Sequence, residues 1–322
     1  MTTTAPPADS AHPSPEATRS PGTSSGSAAR TSSDSAARTS SSTSSRKERD
    51  VPVPAWFDMH DYMSGIGAHA AGPANVILQL SWPEVGYGVM NSRVHDGAAT
   101  KRPFKRGRTT FTYLAVALLG TAEERTAFRK EVNKQHAQVY NREGEPVEYR
   151  GMDPDLQLWV AACLYYGTVD FYERMHGPLS DEVADALYAH CARFGASLQV
   201  PADAWPADRA AFAAYWEAGI ARSRIDPPVA EYLLGLVRFK NFPRIFHPLG
   251  RGMLFVTTGF LPQPIRDQMS LPWNDRMQRK FDRRMRMLGR VEDKLPRALR
   301  LFPFNLYLSD LRTRRRLGRP LP

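Results

Sequence analysis

Residues 153–171, Asp153-Pro-Asp-Leu-Gln-Leu-Trp-Val-Ala-Ala-Cys-Leu-Tyr-Tyr-Gly-Thr-Val-Asp-Phe171, decide the fold of this chain. Asp153 is a residue type that caps a helix N-terminus, and the proline after it suits the first helical position. Large apolar residues then recur at spacings of three and four, as in Leu156, Trp159 and Cys163. This stretch therefore predicts a long helix with a buried face.

The sequence on either side predicts more helices and no sheet. Thr121 and Glu124 have the spacing of a capping box, which predicts a helix that continues to about Tyr140. Residues 253–258 have strand propensity within a helical context, so their structure stays open. Because no segment shows sustained alternation of period two, we predict an all-α fold with one helical domain.

The glycine-rich segment at residues 65–72 matches a loose nucleotide-binding pattern. That chemistry needs a strand before the glycines and a helix directly after them, and neither is indicated. We interpret the segment as a flexible loop. Pro73 would then stand in the first turn of the buried helix that follows.

Residues 1–50 are rich in Ser, Thr, Ala and Pro and contain an eight-residue repeat, at 25–32 and 33–40. Such a segment buries too little apolar surface to offset the entropy of ordering, so we predict a disordered tail. Residues 51–322 form the predicted folded domain.

Composition favours a cytoplasmic protein. The two cysteines, Cys163 and Cys191, are in no metal-ligand or disulfide pattern. No secretory signal is visible, and the longest apolar run, residues 111–119, is shorter than the about 20 residues that span a bilayer.

Positive charge is concentrated at the C-terminal end. Residues 276–322 hold 15 Lys and Arg and 4 Asp and Glu, whereas the whole chain has a net charge of +10. This region is either a solvated helix face or a surface for anionic membrane lipids or nucleic acid. The sequence leaves both interpretations open.

His136 is the histidine, of eight, that is centred on an apolar helical stripe, with Phe128, Val132 and Val139. A histidine in such a position is ordinarily a hydrogen-bonded core residue. The alternative is a ligand for a buried haem iron, since a neutral imidazole in an apolar pocket suits that role.

A basic cluster precedes an almost uncharged run at residues 110–120. It contains Lys105, Arg108 and Thr109, which we place at the N-terminus of a buried helix. The cluster is either a solvated turn or a group that meets a haem propionate, a dioxygen-derived ligand or a substrate oxygen.

Several short motifs follow one another in a recognisable order: Pro73-x-x-Val76-Ile-Leu-Gln-Leu80-x-x-Pro83, Arg108-Thr109, His136-x-x-Val139, Asp153-Pro-x-Leu156-x-x-Trp159-Val160, Gly177-Pro178-Leu179, Leu261-Pro262-x-x-Ile265-Arg266 and Leu271-Pro272-Trp273. The ordered set resembles the MpaB-type oxygenase family, which includes the latex-clearing rubber oxygenases. The similarity extends over roughly residues 60–320.

The resemblance implies an all-helical, globin-like core around haem b. It implies that His136 is the axial iron ligand and that Lys105, Arg108 and Thr109 match a distal Arg-x-x-Lys-Thr motif. Its branches cleave double bonds of a prenyl chain or of polyisoprene, which implies dioxygen and an apolar substrate.

Four positions depart from the family pattern. Lys105 and Arg108 exchange the two cations of the distal motif, and arginine and lysine are not equivalent donors. Arg108 stands where the rubber branch has a lysine that can coordinate iron, and an arginine stays protonated and cannot do so. Trp82-Pro83 replaces a His-Pro pair, and Ala161 replaces a histidine that follows Trp-Val in many bacterial members.

The sequence therefore predicts a haem b-dependent oxygenase acting on an apolar substrate, with isoprenoids as candidates, by oxidative C=C cleavage or a related oxygenation. The alternative is a non-catalytic helical protein that binds a membrane surface, or less favourably nucleic acid, through its basic C-terminal region. A third interpretation joins the two, as an oxygenase held peripherally at the membrane.

Overall fold

A computed structural model of the chain describes residues 52–92, 103–240 and 242–321. Within these ranges the ordered elements are helical, and the strand-like pairing is limited to one isolated bridge between Tyr140 and Arg150. The predicted all-α fold is confirmed. The predicted tail, residues 1–50, lies outside the described residues.

Two short 3-10 helices, Met59–Asp61 and Arg244–Phe246, accompany the α-helices. The α-helices are, in chain order, α1 (Gly65–Gln79), α2 (Pro83–Met90), α3 (Pro103–Leu119), α4 (Ala122–His136), α5 (Pro154–His176), α6 (Asp181–Cys191), α7 (Arg193–Ser197), α8 (Arg209–Arg222), α9 (Pro227–Val237), α10 (Leu249–Phe260), α11 (Gln263–Gln268), α12 (Asp275–Glu292), α13 (Arg297–Arg300) and α14 (Phe304–Arg316). None of the helices in the described ranges combines the length and apolar character needed to cross a membrane.

Helix α5 is the centre of the fold, as residues 153–171 predicted. Trp159 and Cys163 are fully buried on one side of it, in a core shared with α1, α9, α10 and α12. Ala161 and Ala162 are fully buried on the other side, in a core shared with α3, α6, α7, α8 and α14. Because both sides of α5 are covered, the helix has apolar residues around most of its circumference.

The interpretation of residues 65–72 as a flexible loop is wrong. They form the first half of α1, and Pro73 lies inside that helix. Ser64 caps the helix by accepting a hydrogen bond from the backbone of residue 67, and its hydroxyl donates to Glu292 at 2.6 Å. A Cβ at Gly65 would lie 1.7 Å from the carbonyl oxygen of Phe302. This glycine is therefore needed for close packing rather than for flexibility.

Other local predictions are confirmed or refined. Thr121 and Glu124 form a complete capping box, and Asp153 caps α5. Residues 253–258, left open by the sequence, belong to α10. Helix α4 ends at His136 rather than near Tyr140.

Candidate functional site

The chain turns back on itself directly after His136, the last residue of α4. The N–H of Val139 donates to the carbonyl of His136 at 3.0 Å, and the N–H of Gly151 donates to the carbonyl of Val139 at 2.8 Å. A Cβ at Gly151 would lie 2.6 Å from the His136 carbonyl oxygen. This close turn fixes the backbone of His136 beside the start of α5.

The imidazole of His136 faces Gln157 on α5. The Nε2 of Gln157 donates to the carbonyl of Gly151 at 2.7 Å and lies 3.5 Å from the Nδ1 of His136. The Oε1 of Gln157 is buried and has no hydrogen-bond partner among the described residues. A contact of 3.5 Å is at the limit of a hydrogen bond, so it does not fix which imidazole nitrogen carries the hydrogen.

His136 differs from the other histidines that the structure describes. Each of those has a close polar partner: His60 with Asp58, His69 with the Gly65 carbonyl, His176 with Asp293, His190 with the Leu118 carbonyl and His247 with the Phe242 carbonyl. For His136 the contact to Gln157 is the one polar contact seen in the described ranges, and it leaves Nε2 without a partner. His136 is therefore the described histidine with the longest polar contact, at 3.5 Å, and its Nε2 has no partner among the described residues.

The electrostatic surroundings keep this imidazole neutral. The side chain of His136 is largely buried, and part of its surface stays accessible. Burial lowers the pKa of His136 to about 4, and the positive charge of Arg106 on α3 acts in the same direction. The neutral form is the one that binds a metal, since its nitrogen lone pair is free.

The lowered pKa predicts how stability depends on pH. Between pH 6.5 and about 4 the unfolded chain binds a proton at His136 that the folded chain does not bind, so stability is lost as pH falls through this window. Relative to a His136→Gln variant, cofactor-free wild-type protein should lose free energy of unfolding across this range, and the two should run parallel above pH 7. Denaturant unfolding at a series of pH values measures this, and a pH-independent difference would contradict it.

The three predicted distal residues have different surroundings. The Nη2 of Arg108 donates to Asp310 of α14 at 2.5 Å. Burial tends to raise the pKa of Asp310, but hydrogen bonds from Arg108 and Arg314 lower it below its ordinary value. The hydroxyl of Thr109 donates to the backbone carbonyl of Lys105 at 3.0 Å, and the Lys105 side chain is exposed. The structure thus directs Arg108 to α14 rather than to His136.

Arg106 is the cation of the cluster that interacts with His136, and sequence reasoning did not select it. It projects about 200° around α3 from Arg108, because successive helical residues are about 100° apart. Its charge also interacts with Tyr232 of α9. Gln157 was missed as well, although a lone amide between two leucines in a buried helix was a usable signal.

The site can be tested for its fit to haem. Among the described residues, no three His, Cys, Asp or Glu side chains are grouped so that they could hold a bare metal ion. Haem supplies four nitrogen ligands itself and needs as little as one protein ligand. A neutral, enclosed imidazole with an unpartnered Nε2 meets that need, so the residues present fit the group.

A comparison with known protein families supports the resemblance seen in the ordered motifs. The model for "ER-bound oxygenase mpaB/B'/Rubber oxygenase, catalytic domain" matches residues 60–290. The chain therefore belongs to this oxygenase family, as the ordered motifs predicted. The matched region contains His136, Lys105, Arg108 and Thr109, whose roles stay predictions.

Close relatives exist in mycobacteria. An uncharacterised protein of Mycobacterium bovis and an uncharacterised protein of Mycobacterium tuberculosis are each 45% identical to this chain over 247 residues. Each alignment covers 76% of this chain and 97% of the relative. No solved structure matches the chain.

Two of the departures from the family pattern, at Trp82 and Ala161, lie in the core. The indole of Trp82 stacks on that of Trp159 with ring centroids 4.7 Å apart, and Arg222 lies 3.8 Å above Trp82. The Nε1 of Trp82 donates to the carbonyl of Gly219 at 2.9 Å. Ala161 is fully buried. Packed indoles and a methyl group thus occupy positions where the resemblance gives histidines.

Proposed function

We propose that this protein is a haem b-dependent oxygenase for an apolar substrate, with His136 as the residue that would hold the haem iron. The supporting observation is the state of that imidazole. It is neutral at physiological pH, its Nε2 has no partner among the described residues, and its one contact, to Gln157 at 3.5 Å, is longer than the polar contacts of the other described histidines. Membership of the oxygenase family supplies the reaction class.

When bound, haem b supplies the activation of dioxygen for oxidation of a carbon–carbon double bond. His136 would hold the group through Nε2, with the ring hydrogen on Nδ1. Rotation of the Gln157 amide would turn its unpartnered Oε1 towards that N–H, at the expense of the bond to Gly151. Gln157 is thus the residue that orients the ligand.

The cations of α3 have separate roles in this proposal. Arg106 supplies a fixed positive charge beside His136, suited to a haem carboxylate or a polarised oxygen atom. Thr109 projects about 60° from Arg106 around α3, and with Lys105 it is the predicted polar contact for dioxygen or substrate. Arg108 holds α14 against α3 through Asp310.

An apolar substrate agrees with the side chains at this end of α3. Phe104 packs edge-on against Phe242, with ring centroids 5.2 Å apart, and lies 6.1 Å from Phe246. Aromatic surfaces of this kind favour hydrocarbon chains over water. An isoprenoid chain offers both the apolar body and the double bond that the reaction needs.

Haem titration of the purified chain, followed by oxygen-electrode measurements, tests this function. We expect saturation at one haem b per chain, with a Soret band, and then dioxygen uptake when a polyprenyl substrate is added. Products should carry new carbonyl groups. Absence of saturable haem binding would refute the cofactor, and a haem-loaded protein that consumes no dioxygen with any isoprenoid tested would refute the substrate class.

The alternative, a binding protein that acts through its basic C-terminal region, has less support. Part of the charge of that region is used inside the molecule, in ion pairs of Arg297 and Arg300 with Asp61, of Arg312 with Glu124 and of Arg314 with Asp310. The pairs with Asp61 and Glu124 hold the C-terminal helices to the rest of the domain, whereas the pair between Arg314 and Asp310 lies within α14. They favour a structural role for that part of the positive charge.

A further inference from the structure

A second basic surface lies away from the C-terminus. Residues 232–266 contain no Asp or Glu. Within this stretch Arg238, Lys240, Arg244 and Arg251 are exposed, and none of them has an ion pair with a described residue. A cluster of cations with no internal carboxylate partner leaves its charge available to an external anionic surface.

Exposed apolar side chains stand among these cations. Ile245 is 79% exposed, Phe104 61% and Leu249 60%. Beneath them Phe242 and Phe246 pack with ring centroids 6.2 Å apart, and Phe104 lies against both. We call Phe104, Ile245, Leu249 and the surrounding cations the phenylalanine face.

We propose that the phenylalanine face docks on an anionic lipid bilayer. Exposed Ile, Leu and Phe gain free energy by entering the acyl boundary, while Lys and Arg meet lipid phosphates. A nucleic acid would satisfy the cations but leave the apolar side chains in water. A second copy would bury the apolar side chains, but a two-fold contact would oppose the same cations to each other.

A cavity lies beside this face. It has a volume of about 330 Å³ and is lined by Arg238, His247, Gly250, Arg251 and Leu254. A protein seated on the bilayer here would bring this cavity to the phase in which apolar substrates dissolve. That link to substrate rests on the proposed function, whereas docking itself does not require haem.

Vesicle co-sedimentation of the full chain tests the electrostatic part. We expect the protein to bind phosphatidylcholine vesicles that contain phosphatidylglycerol, less at high salt, and much less without the anionic lipid. A Lys240→Gln/Arg244→Gln variant should bind about 25-fold more weakly, from about fivefold for each charge removed. The matched control Arg316→Gln/Arg319→Gln, which removes two exposed charges from the C-terminal region, should bind as wild type does.

A second variant pair tests the apolar part. Ile245→Ser/Leu249→Ser should reduce binding at least about tenfold, because two large side chains no longer enter the bilayer. Leu317→Ser, at a residue 58% exposed near the C-terminus, should leave binding unchanged. Circular dichroism of each variant shows that the fold is kept, and the Soret band reports haem binding separately.

Several outcomes would overturn the proposal. They are equal binding to vesicles with and without phosphatidylglycerol, absence of vesicle binding at low salt, and equal losses in the phenylalanine-face and C-terminal variants. A dimer that dissociates in Ile245→Ser/Leu249→Ser would assign the face to a second copy of the chain. Failure to bind haem with normal vesicle binding would refute the proposed function and leave the docking surface intact.

Discussion

Replacement of His136 by alanine is expected to abolish stable haem binding and with it the Soret absorption of the protein. The proposed function makes this imidazole the iron ligand, and its Nε2 has no partner among the described residues, so its removal would leave the group without a protein ligand. Loss of a residue that only orients a metal-binding side chain lowers metal affinity by about 10–100-fold. Loss of the metal-binding side chain itself should therefore lower the affinity for haem by more than about 100-fold. Haem titration followed by absorbance measures the effect.

Two controls make this result specific to ligation. Added imidazole should restore the Soret band of His136→Ala by occupying the space left by the side chain. His69→Ala, which removes a histidine bonded to the Gly65 carbonyl at 2.6 Å, should bind haem as wild type does. A His136→Ala protein that keeps its fold and an unchanged Soret band would disprove the assignment.

Features that depend on residues within about one helical turn of each other could be predicted from the sequence. Thr121 and Asp153 each cap the helix that they were predicted to start, because the hydrogen bonds involved join residues two or three apart. The centre of α5 was also predictable, since the spacing of its large apolar residues states which sides are buried.

Features that depend on contacts between residues far apart in the sequence could not be predicted from the sequence. The glycine-rich residues 65–72 suggest a loop by composition, but the carbonyl of Phe302, which excludes a larger residue at Gly65, is far away in sequence. Glycine serves both flexibility and close approach, and sequence alone does not separate the two uses. The same ambiguity does not arise at Ser64, whose cap is local.

The candidate site shows the same difference between local features, which could be predicted, and long-range contacts, which could not. His136 was selected from a local pattern, and its neutral, enclosed state agrees with that choice. The motif around Arg108 was expected to face it, but Asp310, 202 residues further on, holds Arg108 on the opposite side of α3. Helical geometry predicts that Arg106 and Arg108 lie on opposite sides of α3. Which of the two arginines faces α4 depends on how α3 packs, and the sequence does not show this.

A substitution that disturbs the packing of α12 on α5 is expected to cause a large loss of stability. Gly289 of α12 lies against the backbone of α5, and a Cβ added there would be 2.2 Å from the carbonyl oxygen of Met175. The Met175 carbonyl belongs to the backbone of the last turn of α5 and cannot rotate away as a side chain can, so the helices must separate along a buried contact. Gly289→Ala should therefore lower the free energy of unfolding by about 3 kcal/mol.

Thermal unfolding of Gly289→Ala beside Gly252→Ala distinguishes this clash from a general effect of the substitution. Gly252 lies in α10 with nothing within 4 Å of an added Cβ, so alanine there should stabilise the protein by about 0.5–1 kcal/mol through helix propensity alone. We expect the melting temperature to fall by about 10 °C for Gly289→Ala and to rise slightly for Gly252→Ala. Equal shifts in the two variants would mean that α5 and α12 tolerate a methyl group between them. Because Gly289 lies on a different helix from His136 and its partners, the folded fraction of Gly289→Ala should bind haem with wild-type affinity.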